Sequence, residues 1–508
     1  MVKGGKNMEA VATKNIVKDL EEIVGEKRVR ADEVVRWTYA IEDFAGSFFH
    51  PLSEKYGPPD IVVKPHSAEE VSKILKLANK YKFPIIPRGA GSDMTGAVTP
   101  LKKTGGIILD MTDMNRVLHL QEGLNAARVQ PGIRWGELHH ELAKHGVTIG
   151  CKGPHGFLGA SLGGGIGGNC FSINSPKYGW LNENILNLQV VLPNGDIIET
   201  GSLANTKVKD WYYRYCNGPD LIGIFLGAAG AFGVITEFTI RTYPIPEFSD
   251  TLAYTFPDTD SQLKFVMKLE WYGYVTDLWG LAYYTLPESL RKIIRPLIGE
   301  RDIAIFATEA YDKDIFKAQK KAIDKMAKEF GGIALPIEGI MRALGVSIKN
   351  ETEWMGGATF GKVMGPNGSD TCSIAHLPQW QKVVGKALEI MERDEELLSG
   401  SVPMIGAEHF FLFAQLLCKG GVSNTFAMTP GDFMNPEKLK LAQEQYCEIV
   451  ESYMDTGYAA LYRIGKESQF LTKRFKPEYI SFMKTIKKAL DPNNIMNPGV
   501  HGLGLEEE

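Results

Sequence analysis

Hydrophobic and polar positions alternate in two rhythms along the first half of the chain. Residues 60–65, Asp-Ile-Val-Val-Lys-Pro, are a short β-branched run that Pro65 ends, which predicts a strand. Ser67 opens a capping box with Glu70, and Val71, Ile74, Leu75 and Ala78 recur at the spacing of one buried helix face. Acids stand in the first turn of that helix and lysines in its last, as the helix dipole favours. Residues 83–87 give the next strand, so the segment predicts a β-α-β unit. Strands follow at 106–110 and 126–130, then a helix over 135–145 that Gly146 stops. Runs at 188–192 and 196–200, joined through Asn194-Gly195, carry a hairpin signal. Residues 233–241 supply another strand, punctuated by Pro244 and Pro246.

The pattern loosens on either side. Residues 9–55 read as helices and connections, with Trp37, Tyr39, Phe44, Phe48 and Phe49 as an aromatic stretch. From 250 to 450, helical windows at 316–330 and 378–398 alternate with strand-like runs such as 410–417, which predicts a second α+β domain. A helix over 477–491 ends at Asp491-Pro-Asn-Asn. The predicted layout is a helical segment at 1–56, a glycine-rich α+β domain at 57–246, a second α+β domain at 247–455 and a returning segment at 456–508. Neither internal repeats nor low-complexity tracts interrupt it.

Composition narrows the class without naming it. A chain of 508 residues is too long for one compact core, and 44% hydrophobic with 23% charged residues is ordinary for a globular protein. A net charge of −5 with no long basic run argues against a general nucleic-acid binder. Cys151, Cys170, Cys216, Cys372, Cys418 and Cys447 are scattered, without a Cys-x-x-Cys pair or a Cys/His cluster. They therefore read as buried thiols in a reducing cytosol, not as a metal module or a disulfide framework. The charged stretch from Met1 to Lys14 lacks the apolar core of a signal peptide, and no window approaches the roughly 20 apolar residues of a membrane-spanning helix. A cytoplasmic protein is expected, with peripheral membrane or complex association left open.

The candidate chemistry lies in three glycine clusters: residues 87–93 (Pro-Arg-Gly-Ala-Gly-Ser-Asp), 163–169 (Gly-Gly-Gly-Ile-Gly-Gly-Asn) and 227–233 (Gly-Ala-Ala-Gly-Ala-Phe-Gly). Glycine lets main-chain N–H groups approach a phosphate with no Cβ in the way, and successive donors make a concave anion site suited to a pyrophosphate. The second cluster fits G-x-G-x-x-G at Gly163, Gly165 and Gly168, but no clear strand leads in and no long helix leads out. A Rossmann fingerprint is not expected there.

The order of motifs resembles the FAD-linked oxidases of the vanillyl-alcohol oxidase and p-cresol methylhydroxylase superfamily. The residues that carry it are Ile61-Val-Val-Lys-Pro with Ser67-Ala-Glu-Glu-Val, Pro84-Ile-Ile-Pro-Arg-Gly-Ala-Gly-Ser, Leu109-Asp-Met, Val129-Gln-Pro-Gly and Gly163-Gly-Gly with Gly168-Asn169. Tyr178-Gly179, Val190-Val-Leu-Pro-Asn-Gly, Gly230-Ala-Phe-Gly-Val-Ile and the terminal Leu-Asp491-Pro-Asn-Asn-Ile-Met-Asn-Pro-Gly499 complete it. The resemblance implies an α+β protein with a two-subdomain FAD-binding domain, an α+β substrate cap domain and a C-terminal segment, including Asn497, that returns to the flavin. It implies that Pro87, Arg88, Gly89, Ala90, Gly91 and Ser92 bind pyrophosphate. Ser161, Gly164, Gly165, Gly168 and Asn169 would run along the FAD, with Gly233, Val234 and Ile235 near its adenine or ribitol side. The histidine that tethers FAD in some relatives is absent from Ala90-Gly91-Ser92, so dissociable FAD is expected.

Two enzyme branches remain open, and one non-enzymatic reading. Tyr462-Arg463 resembles the pair with which the phenol-oxidising branch holds a phenolate; it also reads as a strand-edge tyrosine beside a surface arginine. That branch often places an aspartate base after the tyrosine-glycine pair, where this chain has Trp180-Leu181. The branch that oxidises 2-hydroxy acids carries a His-x-Gly-Asp-Gly-Asn-x-His motif. Here the comparable strand reads Gly406-Ala-Glu-His409-Phe-Phe, which leaves His409 as a candidate base or a packed core histidine and predicts no metal site. A p-hydroxylated aromatic substrate is slightly favoured over a D-lactate- or glycolate-like acid, and a non-catalytic FAD-family subunit of an electron-transfer complex is the third reading. The acceptor is expected to be external, whether an electron-transfer protein, a cytochrome, a quinone or oxygen. A homodimer and a complex subunit are both open.

Overall fold

A computed structural model describes residues 5–40, 56–93, 95–151, 159–170, 174–211, 213–285, 288–336, 369–370, 373–398, 410–418, 421–428, 444, 447–449, 451–461, 465–466 and 474–505. Three sheets organise them. The first comprises β1 (Val29–Arg30), β2 (Ile61–Val63), β3 (Ile85–Arg88) and β4 (Ile107–Asp110) in the order β1-β2-β4-β3. β2 and β3 each pair in parallel with β4, so the predicted β-α-β unit forms with a third strand inserted between its two. Sequence-local patterns could not show that insertion, but its chemistry is readable. β4 is buried at all four positions and sits inside the sheet, whereas Pro87, lacking an N–H, keeps β3 at its margin.

Alternation divides this sheet's side chains between two layers. Ile61, Val63, Ile85, Ile107 and Leu109 pack with Ile16, Leu20, Val71, Ile74 and Leu75 of helices Gly5–Val24 and Ala68–Tyr81. Val62, Ile86 and Ile108 face the other way, against Val35 and Tyr39. Helix Ala68–Tyr81 starts as expected, with the Glu70 N–H donating to Ser67 Oγ at 3.2 Å. The returning arm of the box lands one residue early: the Glu70 carboxylate accepts from the His66 N–H at 2.8 Å and pairs with Arg28 at 2.7 Å.

The second sheet comprises β5 (Val117–Gln121), β6 (Ala126–Val129), β7 (Val147–Ile149), β8 (Ile185–Val191), β9 (Ile197–Glu199) and β10 (Val234–Pro244). Its order is β5-β6-β10-β8-β9, with β7 also on β10, and every pairing is antiparallel. β8 and β9 form the hairpin expected at Asn194-Gly195. The helix Trp135–Ala143 is shorter than predicted. The N–H groups of Lys144, His145 and Gly146 turn back onto the carbonyls of Glu141, Leu142 and Ala143, a tightened last turn that uncoils the helix before the glycine.

The third sheet comprises β11 (Phe248–Phe256), β12 (Asp277–Leu281), β13 (Asp302–Ala310), β14 (Ile333–Leu335), β15 (Ser369–Asp370), β16 (Ser373–His376), β17 (Phe410–Cys418), β18 (Gly421–Met428) and β19 (Ala459–Leu461). It is antiparallel, ordered β14-β11-β13-β12-β17-β18-β16-β19 with β15 on β18. Phe265, Leu269, Ile323, Met326, Trp380 and Val384 bring helices Thr259–Trp271, Lys313–Glu329 and Trp380–Leu398 onto Tyr254, Phe256 and Phe306. After this sheet the chain returns: helix Pro477–Leu490 packs Met483, Ile486 and Leu490 on the core of the second sheet. Among the described residues no helix is long and apolar enough to cross a membrane.

Candidate functional site

β3 carries the chain to Arg88 and into the first glycine loop, where the other two clusters meet it. The Ala90 N–H donates to Ser161 Oγ at 3.1 Å, and a Cβ on Gly89 would overlap the same oxygen. The third loop closes from the other side. Its Gly227 and Ala229 N–H groups donate to the carbonyls of Ile166 and Gly167 at 3.0 and 2.9 Å. Gly230, at φ 77°, lies against the Pro87 ring so closely that an added Cβ would come within 2.8 Å of it. The second cluster, where no long helix was expected, forms the short helix Leu162–Gly167. Four glycines in six residues oppose a helix, so packing makes it: Leu162 and Ile166 are fully buried one turn apart, and Gly163 and Gly165 admit Pro131 and Leu181.

The loops offer donors that no described residue uses. Among the described residues, the N–H groups of Gly89, Gly91, Ser92 and Gly164 make no hydrogen bond. They belong to two loops in contact, since the Gly164 nitrogen is 3.4 Å from the position a Gly89 Cβ would take. Main-chain donors brought together in this way need an acceptor from outside, and a diphosphate supplies several oxygens. Asn497 closes the site from the C-terminal side: its Nδ2 donates to the Ala97 and Ala229 carbonyls at 2.9 and 2.7 Å. The residues present therefore fit an FAD diphosphate.

Four of the eight described non-glycine residues with positive φ lie in the same place. Asn169, Ala229, Asn497 and His501 all have φ between 41° and 55°, a region that costs of order 1–3 kcal/mol to hold and persists where the surroundings over-determine it. They are over-determined. Asn182 Nδ2 holds Asn169 Oδ1 at 2.8 Å, Asn497 holds the Ala229 carbonyl, and His501 Nε2 donates to the Gly227 carbonyl at 3.0 Å. Burial holds the His501 imidazole below the usual histidine range.

Not every residue implied by the resemblance points at the cradle. The Arg88 side chain, 7% exposed, donates to the Tyr39 carbonyl at 3.1 Å and lies beneath Gly91, so it supports the loop from behind. Val234 is a core residue beside Val191, and Ile235, half-buried, packs on the second sheet's core. Gly233 is pressed against Val190 and Val191, and Gly168 against the Gly164 carbonyl. Tyr462, Arg463 and His409 lie outside the described residues.

Two constellations were not anticipated from the sequence, although Lys487 and Asp491 stand four residues apart at helical spacing. Lys487 Nζ, buried, contacts Asp491 Oδ2 at 2.7 Å and donates to the Ala231 and Met496 carbonyls at 2.9 and 2.5 Å. Asp491 also accepts from the N–H groups of Ile495 and Met496 at 2.9 and 2.8 Å, which explains why an aspartate opens the terminal Asp-Pro motif. The second constellation joins the flavin side to the cap sheet. Tyr178 Oη donates to Glu309 on β13, and Lys177 Nζ pairs with the same carboxylate at 2.8 Å. Desolvation and the Glu309 charge push the Tyr178 phenol above its usual range.

Loops of this kind, joined to an antiparallel cap sheet, define a flavin-dependent oxidoreductase, and comparison with known proteins agrees. The FAD binding domain family matches residues 59–201, and the family described as FAD linked oxidases, C-terminal domain, matches 463–500. The chain is 28% identical to the mitochondrial D-lactate dehydrogenase [cytochrome] of Arabidopsis thaliana, over 98% of this chain and 83% of that one. It is 25% identical to glycolate oxidase subunit GlcD of Bacillus subtilis (strain 168), over 87% and 88%. In fold it is similar to substrate-bound p-cresol methylhydroxylase, with a TM-score of 0.81, 18% identity and 98% of each chain covered. The isoeugenol complex of 4-ethylphenol oxidase from Gulosibacter chungangensis gives a TM-score of 0.77 at 19% identity, over 97% of each chain. These matches make the protein an FAD-linked oxidoreductase whose cofactor is FAD, with a fold similar to that of p-cresol methylhydroxylase.

Proposed function

We propose that the enzyme dehydrogenates a small substrate whose anionic oxygen is held by Tyr462 and Arg463, with a 4-alkylphenol or p-hydroxylated aryl alcohol as the first substrate class. The observation that carries this reading is the position of the pair in the chain. Leu461 still belongs to the cap sheet, paired with Ser373 in β16. Four residues later Gly465 lies against Thr95, and the Lys466 N–H donates to the Thr95 carbonyl at 3.2 Å, beside the first glycine loop. Tyr462 and Arg463 thus stand in sequence between the cap sheet and the cofactor loops, where a phenol and a guanidinium can share one oxyanion.

FAD, when bound, supplies the hydride acceptor, with electrons then leaving to an external acceptor. The chain's own part is to grip the diphosphate through Gly89, Gly91, Ser92 and Gly164, to keep the loops closed through Ser161, Asn169 and Asn497, and to hold the substrate oxygen. His409 is the candidate base. With Ala90-Gly91-Ser92 in place of a histidine in the first loop, the cofactor is dissociable.

A second reading, a D-2-hydroxy acid, is favoured by the names of the relatives matched over most of the chain, D-lactate dehydrogenase and glycolate oxidase. One experiment separates them. Flavin-loaded protein is titrated anaerobically with 4-ethylphenol and 4-hydroxybenzyl alcohol, and separately with D-lactate and glycolate, while the flavin band is followed. Bleaching by the phenols alone supports the first reading, and bleaching by the acids alone replaces it with the second. A flavin that none of them reduces returns the chain to a non-catalytic subunit.

A further inference from the structure

The N-terminal segment ending at Tyr39 is joined to the first glycine loop by a chain of contacts that a fold alone does not require. Helix Glu33–Thr38 starts at Asp32, whose carboxylate accepts from the Val35 N–H at 3.1 Å, and Arg36 Nε donates to the Pro59 carbonyl at 2.6 Å. The helix ends at Tyr39, which meets β3 and β4 together. Tyr39 Oη donates to Asp110 Oδ2 at 2.6 Å, and the Tyr39 carbonyl accepts from Arg88 Nη1 at 3.1 Å. The guanidinium also lies over the Tyr39 ring, 5.4 Å from its centroid. Asp110 is itself fixed from three sides, by Lys64 at 3.2 Å and by the Thr112 N–H and hydroxyl at 2.9 and 2.7 Å.

The same guanidinium supports the loop. Gly91 is buried at φ 79°, and a Cβ built on it would overlap Arg88. A nearly buried positive charge therefore lies against Gly91, in the loop whose main-chain donors are those of Gly91 and Ser92. There it adds to their pull on an anion without touching one. Three carboxyl ends of parallel strands, at Val63, Arg88 and Asp110, converge here, the end at which open α/β sheets take their ligands.

We propose that Tyr39 and Arg88 are positioning residues for FAD, clamping Gly91 from below so that residues 33–40 and the cofactor stabilise each other. The proposal rests on the reading that the 89–92 loop holds the diphosphate. Linkage makes the coupling reciprocal: if the segment strengthens FAD binding, FAD strengthens the segment.

The test uses the full chain, stripped of flavin and titrated with FAD. Hydrogen exchange at the Tyr39 and Ala40 amides, which close the helix end on Arg36 and Trp37, is expected to slow on FAD binding. Arg88→Met is expected to weaken FAD about tenfold and Tyr39→Leu about threefold, by loss of a charged hydrogen bond and of a ring contact. Tyr39→Leu should also abolish the FAD-dependent protection of residues 33–40. Should Arg88→Met prove unfolded without flavin, Arg88→Lys, which keeps the charge and loses the fork, must still weaken FAD. Protection confined to the glycine loops, or wild-type affinity in both Tyr39→Leu and the folded Arg88 variant, overturns the clamp. Gly89→Ala distinguishes the two levels, because its Cβ meets Ser161 and not Arg88. If that variant binds FAD normally, the loop reading falls and the clamp with it. If it loses FAD while Tyr39 and Arg88 prove indifferent, the clamp alone falls.

Discussion

The cofactor side and the cap side of this molecule present their chemistry through different parts of the chain. On the cofactor side the proposed ligand groups are main-chain amides, and side chains such as Ser161, Asn497 and Lys487 serve to hold that main chain in place. On the cap side the proposed groups are side chains, Tyr462, Arg463 and His409, and the seam between the two is closed by Glu309 reaching Tyr178 and Lys177. A main-chain site tolerates any side chain that leaves the loop's path open and fails when a Cβ intrudes. A side-chain site fails when the residue's identity changes. The two should therefore be separable by mutation.

The largest effect is expected where the cofactor side is locked. Lys487 is buried with Asp491 and two carbonyls, and burial pushes its ammonium below the usual lysine range while Asp491 opposes the shift. Lys487→Met leaves a buried carboxylate without its cation, a change that costs about 3–5 kcal/mol. Chemical denaturation should show that loss, together with release of flavin, since the Ala231 carbonyl belongs to the third loop. Wild-type stability in the variant would mean that this lock holds nothing.

Two further substitutions should dissociate the sides in opposite directions. Arg463→Ala is expected to slow flavin reduction by substrate about 10²–10³-fold, the cost of losing one oxyanion partner, with FAD affinity unchanged. Stopped-flow reduction and a flavin titration measure the two quantities; equal reduction rates would remove Arg463 from the site. Gly230→Ala should do the reverse. Strain at φ 77° and the Pro87 contact together cost about 1–3 kcal/mol, which corresponds to FAD binding weaker by about five- to 150-fold. The flavin that does bind should be reduced at the wild-type rate.

The same contrast explains what was legible in the sequence. The glycine loops could be read because a main-chain site needs glycine at fixed, local positions. Helix Ala68–Tyr81, the Asn194-Gly195 hairpin and helix Pro477–Leu490 could be read because period and caps are local too. Insertion of β4 between β2 and β3 was not, because strand order is set by which buried runs find each other across the chain. Helix Leu162–Gly167 was missed because its glycines oppose it and tertiary packing overrides them. The direction of Arg88 was missed because it depends on Tyr39, 49 residues away. Glu309 and Tyr178 are 131 residues apart, and no spacing rule connects them.

The smallest effect expected is a pH dependence confined to the cofactor side. His501 Nε2 must carry the proton it donates to the Gly227 carbonyl, and burial works against a second proton on the ring. Burial lowers its pKa below the ordinary 6.5, the hydrogen bond offsetting part of the shift. In the unfolded chain the histidine titrates at its ordinary value, so as pH falls through about 6.5 the unfolded state takes up a proton that the folded state still refuses. Stability from this residue is complete above that pH and declines as the solution is acidified towards the folded pKa. The slope is at most about 1.4 kcal/mol per pH unit. His501→Gln keeps a donor and cannot titrate. The stability advantage of the wild type over this variant should therefore shrink between pH 7.5 and 5.5, and the flavin should be released more readily from the wild type over the same range. A difference that stays constant across that interval would show that His501 is already charged, or equally free to charge, beside the third glycine loop.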